Sequence, residues 1–552
     1  MHGLPTPILV LLAAAAAAAG PVAPPSPSPL VTAERLRGHI RFLSSDLLEG
    51  RGPASRGDQL AEQYIAAQME AMGLQPGAPD GTYFQPFDIV GVTSQNPAAI
   101  SAVRAGRTVD LRFHEDYIAV SGLQQPEAAI EDAEVVFVGY GIVAPEYKWN
   151  DYKSDVRGKV VLVMNNDPES DPALFAGKTR LYYGRWDYKY ESAAAAGAAA
   201  VFIIHTVPSA GYPWQVVQSS WTGEQFQLPA TGAPKARIEG WVTEEAARKL
   251  TALGGRDLDT LRAAAQSRAF KPVPLGVRLS ARLVNTVTRK KTANVLGRLP
   301  GADANRASEA VVYTAHHDHL GINADAKPGE DAIYNGAYDN ASGVAALLTI
   351  AEAMSALSPR PARSVLFAAV AAEEQGLLGS EFLAAHPPIP VGRMAADINM
   401  DGINILGRAR DIEMIGLGKS TIDDVVQGLV KAQGRVLLPD QMPDRGFFYR
   451  SDQFNFAKVG VPAAYLHGGT DVIGKPEGWG KKRHEEFNDK DYHQPSDELR
   501  PDWDFTGAVE DVQLLFQLGV ALAQAPEMPR WRPGDEFEAA RQKALAAAAA
   551  AR

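Results

Sequence analysis

The 552-residue sequence contains no cysteine. That excludes disulfides, thiolate metal ligands, a cysteine nucleophile and a lipid anchor on cysteine, so any bound metal must be held by His, Asp and Glu. Excess positive charge is missing as well. Against 54 Lys and Arg stand 65 Asp and Glu, a net charge of −11, which argues against nucleic acid or an anionic membrane as the main partner. Long apolar runs are scarce. Residues 8–19 form one, too short for a permanent membrane anchor, and no later segment has the length and apolarity to cross a bilayer. Histidine is scarce too, with eleven in the chain, yet three of them fall within the four residues His316-His317-Asp318-His319.

Residues 8–19 end in small residues and have signal-peptide length, although no Lys or Arg precedes Arg35. We therefore expect a signal peptide over residues 1–23, a Pro- and Ser-rich linker over 21–29, and an exported protein, periplasmic or secreted, with no stable membrane insertion once the signal is removed. Helical spacing marks 33–47 and 59–72, in an N-terminal segment spanning 24–104. From 105 to 275 the pattern changes to short apolar runs between turns, clearest at 135–138, 160–163 and 201–204. This predicts a separate β-rich domain, with a helix over the Ala-rich stretch 192–200. From 276 to 530 strands alternate with helices, at 293–299, 311–315, 341–354, 364–372, 376–385, 395–400, 412–415 and 461–466, closed by a helix over 505–523. That alternation predicts an α/β fold with a mixed, largely parallel sheet and helices on both faces. Within the C-terminal segment 531–552, the tail 538–551 is helix-prone but almost without large apolar residues, so it is expected to fray.

The chemistry-bearing residues sit at the ends of these apolar runs, where α/β folds place their sites. His316 and Asp318 are two apart and project from the same side of extended chain, so one can bind a metal while the other orients it. Asp339 is expected to open a helix with Asn340-Ala341-Ser342-Gly343, where the helix dipole favours its charge. Glu373-Glu374 terminate an apolar strand, an expensive place for two acids unless they are used. Asp401 ends the strand 395–400, and His493 follows in Asp491-Tyr492-His493-Gln494-Pro495. Taken singly, each has a plainer reading. Asp339 and Asp401 can be caps, Glu373-Glu374 a solvated helix start, His493 a loop residue, and His317 and His319 mere neighbours of a ligand. The conjunction of five such signals points to a two-metal site and metal-assisted hydrolysis. The segment 468–491, with several glycines and Trp479, reads as a loop that forms a cleft wall or a solvated surface.

The segments Ala315-His316-His317-Asp318-His319-Leu320-Gly321, Asn335-Gly336-Ala337-Tyr338-Asp339-Asn340-Ala341-Ser342-Gly343, Glu373-Glu374-Gln375-Gly376, Asn399-Met400-Asp401 and Tyr492-His493-Gln494-Pro495-Ser496-Asp497 resemble the motifs of the co-catalytic zinc aminopeptidases, the group that includes secreted bacterial leucyl aminopeptidases and glutamate carboxypeptidase II. The likeness extends to Phe42-Leu43-Ser44-Ser45-Asp46 and Glu49-Gly50-Arg51. Gly139-Tyr140-Gly141-Ile142 and Asp155-Val156-Arg157-Gly158-Lys159-Val160-Val161 resemble the protease-associated domain inserted in that family, here over 105–275. The resemblance implies a zinc exopeptidase fold and two zinc ions per chain. It makes His316 and Asp401 ligands of one ion, Glu374 and His493 ligands of the other, and Asp339 the bridge. Glu373 would be the general base, Asp318 a support for His316, and Tyr492 a stabiliser of the tetrahedral intermediate. The implied substrate is a peptide or protein, and the expected activity is that of an aminopeptidase releasing N-terminal residues. The alternatives on the same fold are a carboxypeptidase or dipeptidase, and a single-zinc glutaminyl cyclase-like acyltransferase. A binding protein with a decayed site is disfavoured, because no ligand position is missing. The chain departs from the family at Tyr338, where many members have an acid, and at Ser451-Asp452-Gln453, where many have Ser-Asp-His near the substrate pocket.

Overall fold

The computed structural model describes residues 25–171, 174–323 and 326–550. The expected signal peptide lies outside these residues. In the C-terminal half, four strands run parallel in the order Ser364–Val370, Ala310–His316, Met394–Asn399 and Ala463–Gly468. Antiparallel strands flank them: Val273–Leu299 beside Ser364–Val370, and Asp411–Ile415 beside Ala463–Gly468, with Val436–Pro439 parallel beyond it. The chain thus adopts the expected α/β class with a mixed sheet whose centre is parallel.

Every residue of Ala310–His316 and Ser364–Val370 is buried, the condition of strands covered on both faces. Their side chains alternate between two cores. Val311, Tyr313, Ala315, Val365, Phe367 and Ala369 pack on the side of the helices Ala33–Leu43, Arg56–Ala71, Gly343–Ser355 and Thr506–Gln524. Val312, Leu366, Ala368 and Val370 point the other way, onto Leu383 of the helix Leu378–Ala385 and Phe456 of the helix Gln453–Lys458. Each valine, leucine and phenylalanine among them contributes about 1.5–3 kcal/mol on full burial. The two N-terminal helices are started by their caps. Thr32 accepts from Arg35 N, and Ser55 accepts from Asp58 N.

A second core involves the parallel strands Glu127–Phe137, Val160–Met164, Ala200–His205 and Ile238–Thr243, with Tyr117–Ser121 antiparallel at their edge. It includes Ile100 and Ala102, ahead of residue 105, and Val277, Leu279 and Leu283, beyond residue 275. The helix before Ala200–His205 is Trp186–Ala195, earlier than the Ala-rich run suggests. Gly197, at φ 84°, divides that run, so alanine's helix preference gives way to a turn and then a strand.

One strand joins the two cores. Val273–Leu299 is continuous over 27 residues, and the expected strand 293–299 is its last part. Residues 275–283 alternate strictly between buried and exposed, whereas residues 292–297 are buried throughout. The first portion pairs with Glu127–Phe137. The last lies between Phe84–Gln95 and Ser364–Val370. The C-terminal tail, expected to fray, forms the helix Glu538–Ala550. Arg541, 2 % exposed, anchors it by donating to Met394 O at 2.9 Å, so a buried guanidinium does what large apolar residues do elsewhere. Among the described residues, no helix is long and apolar enough to cross a membrane.

Candidate metal centre

Parallel pairing of Ser364–Val370, Ala310–His316 and Met394–Asn399 brings their C-terminal ends to one edge of the sheet. His316 is the last residue of its strand, Glu373 and Glu374 follow the second, and Asp401 follows the third. Asp339 arrives from the turn before the helix Gly343–Ser355. It does not open that helix as expected: Asp339 (φ −107°, ψ 98°) and Asn340 (φ −132°, ψ 37°) are non-helical. Asn340 Oδ1 accepts from Gly343 N at 2.9 Å and from Gly402 N at 3.0 Å, while its Nδ2 donates to Met400 O. One amide therefore ties the Asp339 turn to the Asp401 loop. Gly336, at φ 55°, allows the close approach, since a Cβ there would lie 2.3 Å from Asp339 O.

Asp339 stands between two histidines. Its Oδ1 is 3.2 Å from His316 Nε2, and its Oδ2 is 3.2 Å from His493 Nε2. His316 Nε2 is also 3.4 Å from Asp401 Oδ1 and 4.0 Å from Glu373 Oε2. His493 Nε2 is 3.1 Å from Glu374 Oε2. His316 Nδ1 lies 3.2 Å from the Asp318 carbonyl. A carbonyl only accepts, so this contact puts a proton on Nδ1 and leaves Nε2 as the ring atom that faces the carboxylates. Asp339 Oδ1 and His493 Nε2 are buried, yet neither has a hydrogen-bond partner of acceptable alignment. Close approach without alignment, among two imidazoles and several carboxylates, is a donor arrangement that a zinc ion fits.

The electrostatics carry the same strain. Against the opposing effect of burial, Glu374 and Asp339 push His493 up to about 10. Burial likewise opposes, and His493 and His319 overcome, as Glu374 is pulled down to about 2. Burial holds Glu373 well above the usual carboxylate range, with Glu374 and Asp401 adding to it against the pull of His316. Asp318 accepts Glu373 N at 3.0 Å and Glu374 N at 3.3 Å, so it orients the two glutamates as well as standing beside His316. Tyr492 stacks on His493 with ring centroids 3.9 Å apart and keeps 37 % of its surface exposed.

Residues 294–517 match the model of peptidase family M28. Two relatives are leucine aminopeptidase 2 of Trichophyton equinum, 30 % identical over 211 residues, covering 36 % of this chain and 38 % of the relative, and leucine aminopeptidase 2 of Trichophyton rubrum, 29 % identical over 228 residues, covering 39 % and 42 %. The chain thus spans about two fifths of the length of these curated relatives. Among solved structures, an aminopeptidase from Aneurinibacillus sp. strain AM-1 is 20 % identical, covering 92 % of this chain and 97 % of that one with a TM-score of 0.49. A zinc aminopeptidase from Bacillus subtilis is 18 % identical, covering 92 % and 99 % with a TM-score of 0.43.

Several residues in and around the matched segment have parts that their spacing does not reveal. His319 Nδ1 lies 2.6 Å from Glu374 Oε1, which leaves Oε2 toward His493. Asp497 accepts Tyr338 N at 2.9 Å and Asp339 N at 3.0 Å, a part that its place in Ser496-Asp497 does not disclose. Arg51, 1 % exposed, donates to the carbonyls of Leu43, His317, Asn335 and Gly336. It thereby fastens the His316 and Asp339 loops together. Gln453 accepts from Asn399 Nδ2 at 2.7 Å and donates to Phe448 O, so its amide is spent within the protein. The expected loop 468–491 carries the helix Trp479–Lys490, whose Phe487 packs on Tyr338 at 4.7 Å.

Proposed function

We propose that this chain is a two-zinc exopeptidase that releases N-terminal residues from peptides. The observation that carries the reading is the convergence of His316, Asp339, Glu374, Asp401 and His493, with Glu373 Oε2 4.0 Å from His316 Nε2. The match of residues 294–517 to the peptidase family M28 model and the leucine aminopeptidase relatives support it. His316 and Asp401 would hold one ion, Glu374 and His493 the other, and Asp339 would be shared. The chemistry such ions supply when bound is polarisation of the scissile carbonyl and a water acidic enough to react near neutral pH.

The remaining work falls to the protein. Glu373 takes the proton of the attacking water on its carboxylate and delivers it to the leaving amine. Its burial suits that task, because a carboxyl with a raised proton affinity can hold the proton between the two transfers. Asp318 keeps Glu373 in place through the backbone N–H. Tyr492, partly exposed and stacked on the ring of His493, would offer its hydroxyl to the oxyanion.

The region 105–275 is read as an inserted domain bordering the cleft. Its strand Glu224–Gln227 supports this, since Phe226 N donates to Gln375 Oε1 at 3.3 Å, directly after the glutamate pair. The apolar stretch at 8–19 supports an exported enzyme. The test is zinc content of the purified protein together with a panel of free-amine and N-blocked peptides. Two ions and cleavage of free-amine substrates only is the expected result. Cleavage of blocked substrates would move the reading to a carboxypeptidase or dipeptidase. One ion with cyclisation of N-terminal glutamine would replace it with an acyltransferase.

A further inference from the structure

His316 and His317 are consecutive in extended chain, and His317 N continues the ladder by donating to Val370 O at 2.9 Å. Their side chains therefore leave on opposite sides. His316 goes to the candidate centre. His317 goes to the helix Arg56–Ala71, where it meets Asp58 and Glu62. These acids are four apart, so they share one face of the helix. One ligand-type atom from each of Asp58, Glu62 and His317 lies within 4.8 Å of the others. All three residues are buried, Asp58 wholly, His317 at 1 % and Glu62 at 7 % exposure.

We propose that Asp58, Glu62 and His317 bind a further divalent transition-metal ion of structural type, separate from the pair at the candidate centre. His317 Nε2 and Asp58 Oδ1 approach to 3.1 Å, yet both atoms, and His317 Nδ1, have no aligned hydrogen-bond partner. The same mark of close approach without alignment distinguishes Asp339 and His493. The carboxylates are already oriented by their other contacts. Asp58 Oδ2 accepts from Ala54 N and Thr292 Oγ1, each at 2.7 Å. Glu62 Oε1 accepts from Ala293 N at 2.9 Å and lies 3.3 Å from Thr292 Oγ1. Fixed carboxylates with one imidazole make a nitrogen and oxygen donor set of the kind zinc takes. Two buried carboxylates and a neutral imidazole also balance a dication, which removes the cost of burying their charge. Bound there, the ion would pin Arg56–Ala71 to the strand end that carries His316.

The test is zinc content of full-length wild type, Asp58→Asn and Glu62→Gln after passage through metal-free buffer, with Glu374→Gln as the control at the candidate centre. Wild-type crystals grown from zinc-loaded protein would be measured for anomalous scattering at the zinc edge. Each of the two helix variants should hold one zinc equivalent fewer than wild type, and the crystals should show an anomalous peak between His317 and the helix. Equal zinc content in wild type and both variants, or no such peak, would overturn the proposal. If the variants do not fold, the wild-type peak alone decides. Failure of the two-zinc reading is a different result: no peaks between His316 and His493, whatever is found at His317.

Discussion

The carboxylate of Asp497 accepts the backbone N–H of Asp339 at 3.0 Å across 158 positions of sequence. The residue that stands between the two histidines is therefore held from outside its own loop. In Asp497→Asn, one oxygen facing Tyr338 N and Asp339 N becomes an NH₂ group, a donor set against donors. Zinc affinity should fall about 10- to 100-fold, as it does when other orienting partners of metal ligands are removed. Competition with a chromophoric chelator would read it, and an unchanged affinity would show that Asp339 needs no such support.

Glu373→Gln tests the proton carrier. The amide preserves size and keeps the backbone bond to Asp318, but it cannot take a proton. Zinc content should be unchanged while kcat falls on the order of 10²- to 10⁴-fold or more. Wild-type turnover in a fully loaded variant would remove Glu373 from its role.

The metal-free protein should respond to pH through His493. Its folded pKa, about 10 against an ordinary 6.5, means that folding favours the protonated ring. That stability is fully present below pH 6.5 and is lost as pH rises toward 10. Thermal unfolding of the apoprotein should therefore drop between pH 6.5 and 10. A zinc ligand must be the neutral ring, so zinc uptake near neutral pH should release protons. Calorimetry in buffers of different ionisation enthalpy would detect that release, and its absence would mean that His493 does not bind the ion.

Arg51→Lys probes the fastening of the two ligand loops. The guanidinium reaches four carbonyls, a spread that a point-charge ammonium cannot reproduce. Loss of these charged hydrogen bonds in a buried position should cost about 3 kcal/mol or more. Denaturant unfolding would measure it, and a change below about 1 kcal/mol would mean the loops hold without Arg51.

The alternation of strands and helices and the acids at strand ends could be read directly, because fully buried strands leave uninterrupted apolar runs and a following charge is conspicuous. What spacing could not carry was the partner of each polar residue. His317 and His319 looked like bystanders of His316, yet each faces a carboxylate, Asp58 and Glu374 respectively. Those acids come from other elements, so no local pattern connects them. The helix Trp479–Lys490 is silent in the sequence for another reason: Gly480 is its only buried residue, which leaves almost no apolar periodicity. Over 192–200, a single Gly197 turned a helical composition into a helix end and a strand start.

The unbroken strand Val273–Leu299 bears on how a substrate could be admitted. Its ladder with Phe84–Gln95 runs without interruption from Val284 opposite Gln95 to Val295 opposite Phe84, between the part that serves the second core and the part that borders Ser364–Val370. No loop along it can act as a swivel. Any opening between the two cores must flex this paired ribbon as a leaf spring flexes, with a restoring force that rises with displacement. The strand end that leads to Glu373 and Glu374 lies beside the strand anchoring that spring, so these glutamates should shift little as the outer region moves.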